Sequence, residues 1–135
     1  MTKKRVSLVA YSFKKGNGGI AQVARLIAKF MEEEADRLNI EPRLFSFADN
    51  VPPDSVDLPF QGSGSSKVAF LTALYCEALR SSHFLYDSCN MAQAHPRLPL
   101  LPRRQLIMVN GIEVWEMAKP RWIRAARRSD KLIAI

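Results

Sequence analysis

The chain opens with a strand that runs through a cluster of glycines straight into a helix, and that order restricts the fold more than any other feature. Arg5-Val-Ser-Leu-Val-Ala-Tyr-Ser12 is apolar and β-prone, and Phe13-Lys-Lys-Gly16-Asn-Gly18-Gly19 follows it. From Ile20 the apolar residues recur at three- and four-residue spacing, the mark of an amphipathic helix. A helix placed directly behind such a strand crosses back over the sheet and delivers the next strand parallel to the first. The glycines let backbone N–H groups approach a ligand closely, and the helix N-terminus adds positive partial charge. The junction therefore suits an anion, phosphate above all.

The same alternation continues. The first helix, about Ile20 to Leu38, places Ile20, Val23, Ala24, Ile27, Met31, Ala35 and Leu38 on one stripe, with Arg25, Lys29, Glu32, Glu33 and Asp36 opposite. A second strand spans Pro42 to Ala48. Asp49 to Ser66 reads as loop, through Asn50-Val-Pro-Pro-Asp54 and Gly62-Ser-Gly-Ser-Ser66. A helix over Lys67 to Ser81 turns Val68, Leu71, Leu74, Tyr75 and Ala78 inward. Strands follow at Phe84–Cys89 and Gln105–Val109, then a helix at Pro120–Ser129 and a last strand from Lys131 to Ile135. The pattern predicts an α/β fold, a Rossmann-like three-layer sandwich around a mainly parallel sheet. Ligands of such sheets lie beyond the carboxyl ends of the strands. The loops to watch are Phe13–Gly19, Asp49–Gly64, Asn90–His95 and Asn110–Met117.

Composition excludes several classes. At 135 residues the chain makes one domain, with 47% apolar and 24% charged residues as in ordinary globular proteins. No apolar run approaches the roughly 20 residues of a membrane-spanning helix. The basic, then apolar, start imitates a secretory signal, but Tyr11-Ser-Phe-Lys-Lys15 stands where a small-residue cleavage site belongs. Cys76 and Cys89 have neither metal-site spacing nor a disulfide framework, so they read as reduced cysteines of a cytoplasmic protein. The net charge of +7 is uneven: residues 1–67 hold 10 Lys/Arg against 8 Asp/Glu, and residues 68–135 hold 10 against 5. A basic face of this kind meets nucleic acid, an anionic membrane, a phosphorylated substrate or an acidic partner domain, or is simply solvated.

The glycine loop admits rival readings. Gly16-x-Gly18-x-x-Ala21 fits a dinucleotide fingerprint in form. Phe13-Lys14-Lys15 nevertheless lengthens the loop beyond the tight turn that fingerprint needs, and the acid after strand two, Asp49, comes late. No Gly-Lys-Ser/Thr closes the loop, so the Walker pattern fails. Gly18-Gly19 also reads as a bare turn without a ligand. Further on, Val109-Asn-Gly-Ile-Glu-Val-Trp115 sets Asn110, Gly111, Glu113 and Trp115 where a sugar-sized ligand could be hydrogen-bonded and stacked upon. Phe84-Leu-Tyr-Asp-Ser-Cys-Asn90 does the same with Asp87, Ser88 and Asn90. Trp115 equally suits packing, and Glu113 equally suits a helix cap.

Together these motifs resemble the N-terminal domain of GT-B glycosyltransferases of the retaining, family 4 type. The likeness covers nearly the whole chain and is strongest at Gly18-Gly19-Ile20, Gly111-Ile-Glu-Val-Trp115 and Ser129–Ile135. It implies the N-terminal half of a GT-B fold: residues 1–135 as the acceptor-side domain, lacking a C-terminal donor-binding domain and inactive alone. It implies transfer of a sugar from a nucleotide-sugar co-substrate to a glycan or lipid-linked acceptor, without metal or other cofactor and with no nucleic acid. Gly18, Gly19, Asn90, Asn110, Gly111, Glu113 and Trp115 would face the donor or acceptor, Asn110 being the nearest catalytic candidate.

The family often has His before Gly-Ile-Glu, where this chain has Asn110, and related sequences often have His after the strand-four Asp, where Ser88 stands. An amide cannot shuttle a proton near neutral pH. Glu33 and Glu41 match the family's glutamate spacing but straddle the end of the first helix, in the wrong domain. The resemblance also implies a cytoplasmic protein whose Lys14, Lys15, Arg103, Arg104 and Arg124, should these share one face beside the cleft, make peripheral contact with an anionic membrane or bind a phosphorylated lipid acceptor. A free-standing dinucleotide module and, more weakly, a basic nucleic-acid-binding domain are the alternatives.

Overall fold

A computed structural model describes residues 3–16, 18–109 and 119–134. Its elements are β1 (Lys4–Ala10), α1 (Gly18–Leu38), β2 (Ile40–Ser46), β3 (Phe60–Gly62), α2 (Lys67–Ala78), β4 (His83–Tyr86), α3 (Cys89–Ala92), β5 (Arg104–Val109), α4 (Pro120–Arg128) and β6 (Lys131–Ala134). The strands form a six-stranded sheet in the order β3-β2-β1-β4-β5-β6, and every neighbouring pair is parallel. The chain moves outward from β1 to β3, then returns to the other side of β1 and moves outward again. Right-handed crossovers put the helices of the two journeys on opposite faces.

The register shows this directly. Leu44, Leu8, Leu85 and Leu106 form one transverse row. Leu8 and Leu44 pack with Ala24, Ala28 and Met31 of α1 and with Val56 of the β2–β3 loop. The next row, Phe45, Val9, Tyr86 and Ile107, points the other way. It meets Phe70, Ala73, Leu74 and Ala78 of α2, Cys89, Met91 and Ala92 of α3, and Ala125 of α4. The result is the Rossmann-like three-layer arrangement.

Four details depart from the sequence reading. On α1 the deepest residues are Ala21, Ala24, Ala28 and Met31, whereas Leu38 is exposed: the small alanines let the helix lie close to the sheet. Residues 60–62 form an edge strand within the expected loop, because Leu44 N–H donates to Pro59 O and Phe60 aligns with Leu44. β4 ends at Tyr86, three residues early, since Ser88 caps α3 by accepting from Met91 N. On α2 the buried face is Phe70, Ala73, Leu74, Glu77 and Ala78, while Val68, Leu71 and Tyr75 are exposed. This helix is apolar almost all round, so periodicity could not choose its face.

Glu77 makes the choice. Its carboxylate, 5% exposed, lies against Arg5 of β1 and Arg43 of β2, with Arg5 Nη2 donating to Oε2 at 3.2 Å and Arg43 Nε 3.3 Å from the same oxygen. Turning α2 to bury Val68 would strand both guanidiniums.

Candidate functional site

In this strand order the topology reverses between β1 and β4, and the chain leaves both strands at one edge of the sheet. Open α/β sheets bind ligands there. The segment leaving β1 is braced from both sides. Asp87, 1% exposed at the end of β4, accepts from Tyr11 N at 3.0 Å and from Ser88 Oγ at 3.0 Å. Asp49, just after β2, accepts from Ser12 Oγ at 2.8 Å and from Phe13 N at 2.7 Å. Ser12 Oγ in turn accepts from Lys14 N. Arg25, expected on the solvent side of α1, instead donates through Nη1 to Phe13 O at 3.1 Å. Phe13 is thereby seated in the core at 1% exposure.

The same turn reaches Asp49 from behind. Ala48 N donates to Tyr11 O, and Asp49 N donates to Ser46 Oγ. Gly62 passes so close that a Cβ there would lie 2.1 Å from Asp49 O. Only glycine fits, and only with Gly62 in place does the loop close over β2.

Beyond these braces the backbone is open. Gly16 and Gly18 both have φ of +89°, a conformation that favours glycine, and a Cβ added at Gly18 or Gly19 would meet nothing within 4 Å. No acidic residue occupies the first turn of α1, so its N-terminal partial charge is not offset by its own side chains. Beside it lies a cleft of about 520 Å³ lined by Lys14, Lys15 and Arg25, with Asp49 and Asp54 and the Asn50–Ser55 turn opposite. Three cations against two carboxylates give the lining a small positive excess, and both oxygens of Asp49 are turned to the loop. The arrangement can bind and orient an anionic group at an exposed helix N-terminus.

Of the residues singled out from the sequence, Gly18 and Gly19 open α1 at this edge. Asn90 is exposed in α3, which leaves the neighbouring strand at the same edge, and its Oδ1 accepts from Gln93 Nε2 at 2.9 Å. Asn110, Gly111, Glu113 and Trp115 lie outside the described residues. The basic side chains expected to share a face do not gather. Lys14 and Lys15 line the cleft, Arg103 donates to Ala78 O, Arg104 opens β5 at the opposite edge, and Arg124 lies on α4.

His83 begins β4, also at the opposite edge. His95 is a packing residue, edge-on to Phe84 and Tyr86. Its Nε2 donates to Arg103 O and its Nδ1 accepts from Tyr86 Oη at 2.7 Å, because a carbonyl can only accept. Burial holds the His95 imidazole below its usual range and pushes the Tyr86 hydroxyl well above its own. Among the described residues no group of three potential metal ligands occurs, and no helix is long and apolar enough to cross a membrane.

Sequence inspection missed the roles of Asp49 and Arg25. Neither has a local signal: Asp49 acts on residues 36 and 37 positions away, and Arg25 looks like any charged residue on a helix. Compared with protein-family models, curated proteins and solved structures, the chain matches none.

Proposed function

We propose that residues 1–135 are the acceptor-side domain of a retaining glycosyltransferase of the GT-B, family 4 type, which transfers a sugar from a nucleotide-sugar donor. The observation that supports it is the conjunction at one sheet edge: an exposed glycine-opened helix N-terminus, a cationic cleft and the α3 turn bearing Asn90, all at the point where strand order reverses. On this reading Gly18 and Gly19 lie near the diphosphate or the acceptor. Asn110 and Gly111 lie near the transferred sugar, with Glu113 and Trp115 beside them. Cationic side chains and helix N-termini stabilise a leaving diphosphate without a metal. The donor is held by a C-terminal domain, and the acceptor is a glycan or lipid-linked glycan.

The dinucleotide alternative asks the acid after strand two to hold a ribose. Asp49 instead accepts from Ser12 and Phe13 with both oxygens, which favours the glycosyltransferase reading.

The test is a titration followed by amide chemical shifts, with a panel of oligosaccharide acceptors, nucleoside diphosphates and NADH. Saccharides or diphosphates should shift Gly18, Gly19 and Asn90. Gly19→Asp should abolish those shifts while leaving the fold intact, since a carboxylate in the first turn of α1 suits the helix dipole and repels an anion. NADH binding at the glycine loop, with no response to saccharides or diphosphates, would reverse the assignment. Turnover of a nucleotide sugar by residues 1–135 alone would overturn the narrower claim that this is only the acceptor-side half.

A further inference from the structure

We infer that the groove formed by Arg97, Arg121, Arg124 and Arg128 is a second anion site, one that takes a phosphate-bearing group such as a phosphomonoester or diphosphate. Arg121, Arg124 and Arg128 recur at i, i+3 and i+7, so they share one stripe of α4. Ala125 lies within that stripe and is buried against the core. A small residue at its centre lets α4 sit close to α3 and leaves a hollow of about 280 Å³. Arg97, from the segment after α3, and Gln93 line it from the other side.

Among the described residues, this cluster stands apart in having no acid paired with it. On α1 the chain pairs its cations within one helical turn: Lys29 with Glu32 and Glu33, and Arg37 with Glu34. The stretch from Lys119 to Ser129 contains five cations and no acid. Among the described residues, no carboxylate lies within ion-pair distance of Arg97, Arg121, Arg124 or Arg128. The next acid along the chain, Asp130, already accepts from Gln105 N at 2.7 Å. Four like charges lining one groove repel one another, and a bound dianion removes that repulsion. All four are arginine, whose planar fork of donors matches phosphate oxygens two at a time.

The groove shares none of its named arginines with the cleft at the glycine loop, so its fate is independent of the function proposed above. The phosphate could be soluble or carried on a lipid. The groove adjoins an apolar surface, since Arg97 N lies 3.4 Å from Tyr75 Oη on the outward face of α2, beside exposed Leu71 and Leu79.

The experiment measures pyrophosphate binding by calorimetry at fixed ionic strength, using the wild-type arginines, R124Q/R128Q and R124K/R128K, each also in a Gly19→Asp background so that the glycine loop contributes no diphosphate binding. A parallel arm sediments each protein with phosphatidylcholine vesicles doped with phosphatidic acid. The glutamine pair should weaken binding at least about tenfold, as expected for losing two charge-assisted forks. The lysine pair should fall between, because charge is kept and the fork lost. Gly19→Asp should leave this site unchanged. Arginine-dependent sedimentation identifies a lipid-borne phosphate, and arginine-dependent pyrophosphate binding alone identifies a soluble one; either upholds the groove. Equal behaviour of wild type and the glutamine pair in both arms, or a lysine pair as good as wild type, would overturn it.

Discussion

Replacing Asp49 by Asn tests whether one carboxylate organises the candidate site. Asp49 accepts two short bonds, one from Ser12 Oγ and one from Phe13 N, through separate oxygens. Asparagine has a single acceptor oxygen. Whichever donor keeps it, the other faces an NH₂ group and loses its partner. One bond to a charged acceptor contributes roughly 1.5–3 kcal/mol, and the surviving bond falls toward the strength of a neutral one. Asp49 is half-buried, so water recovers part of this. The expected loss is about 2 to 3 kcal/mol by urea titration. At an intermediate domain size that lowers the melting midpoint by about 10 °C. Amide shifts should move at Tyr11–Gly16 and leave β5 undisturbed. Asp54→Asn, on the same cleft, is the control and should stay within about 0.5 kcal/mol. If Asp49→Asn does no more than its control, the loop is held by other means and the two-brace account of the site is wrong.

Other consequences follow from the same geometry. Gly62→Ala forces a methyl onto Asp49 O and should destabilise by about 2 kcal/mol or more; its effect should be less than additive with Asp49→Asn, since both act on one turn. Glu77→Ala leaves Arg5 and Arg43 without their carboxylate and should cost about 3 kcal/mol, with replacement of all three by apolar residues recovering most of it; a loss below about 1 kcal/mol would mean that both guanidiniums reach water. His95 has a folded-state pKa below its unfolded one, chiefly through burial, so the unfolded chain binds the proton better. Its contribution is present above about pH 6.5 and is lost as pH falls from there through the lower folded-state pKa, and His95→Gln should flatten the stability profile over that interval. His83, also lowered by burial and by Lys4 and Arg104, supplies the slope that remains.

Much of the fold was legible because its signals are local. The stripe of α1, the apolar runs of β1 and β5 and the Pro120 start of α4 are each written within a few residues. Their alternation already requires a parallel sheet. β3 was not legible: three residues including a glycine form a strand only because β2 offers an open edge. The face of α2 was equally hidden. Its apolar residues surround the helix, and the deciding partner of Glu77 lies 72 positions away at Arg5. At the site, the glycines announced themselves through backbone freedom that no other residue has. The braces did not, because Asp49 and Asp87 are ordinary carboxylates until the sheet sets them beside Tyr11–Phe13.

Neighbouring residues set the order of elements and the glycine-opened start of α1, since periodicity and backbone freedom act over a few positions. Tertiary structure alone decided the reversal of strand order at β1, the cleft beside Lys14 and Lys15, and the meeting of Arg97 with the α4 arginines. Each of these joins residues far apart in the chain, and long-range pairing depends on how the layers pack rather than on any local preference.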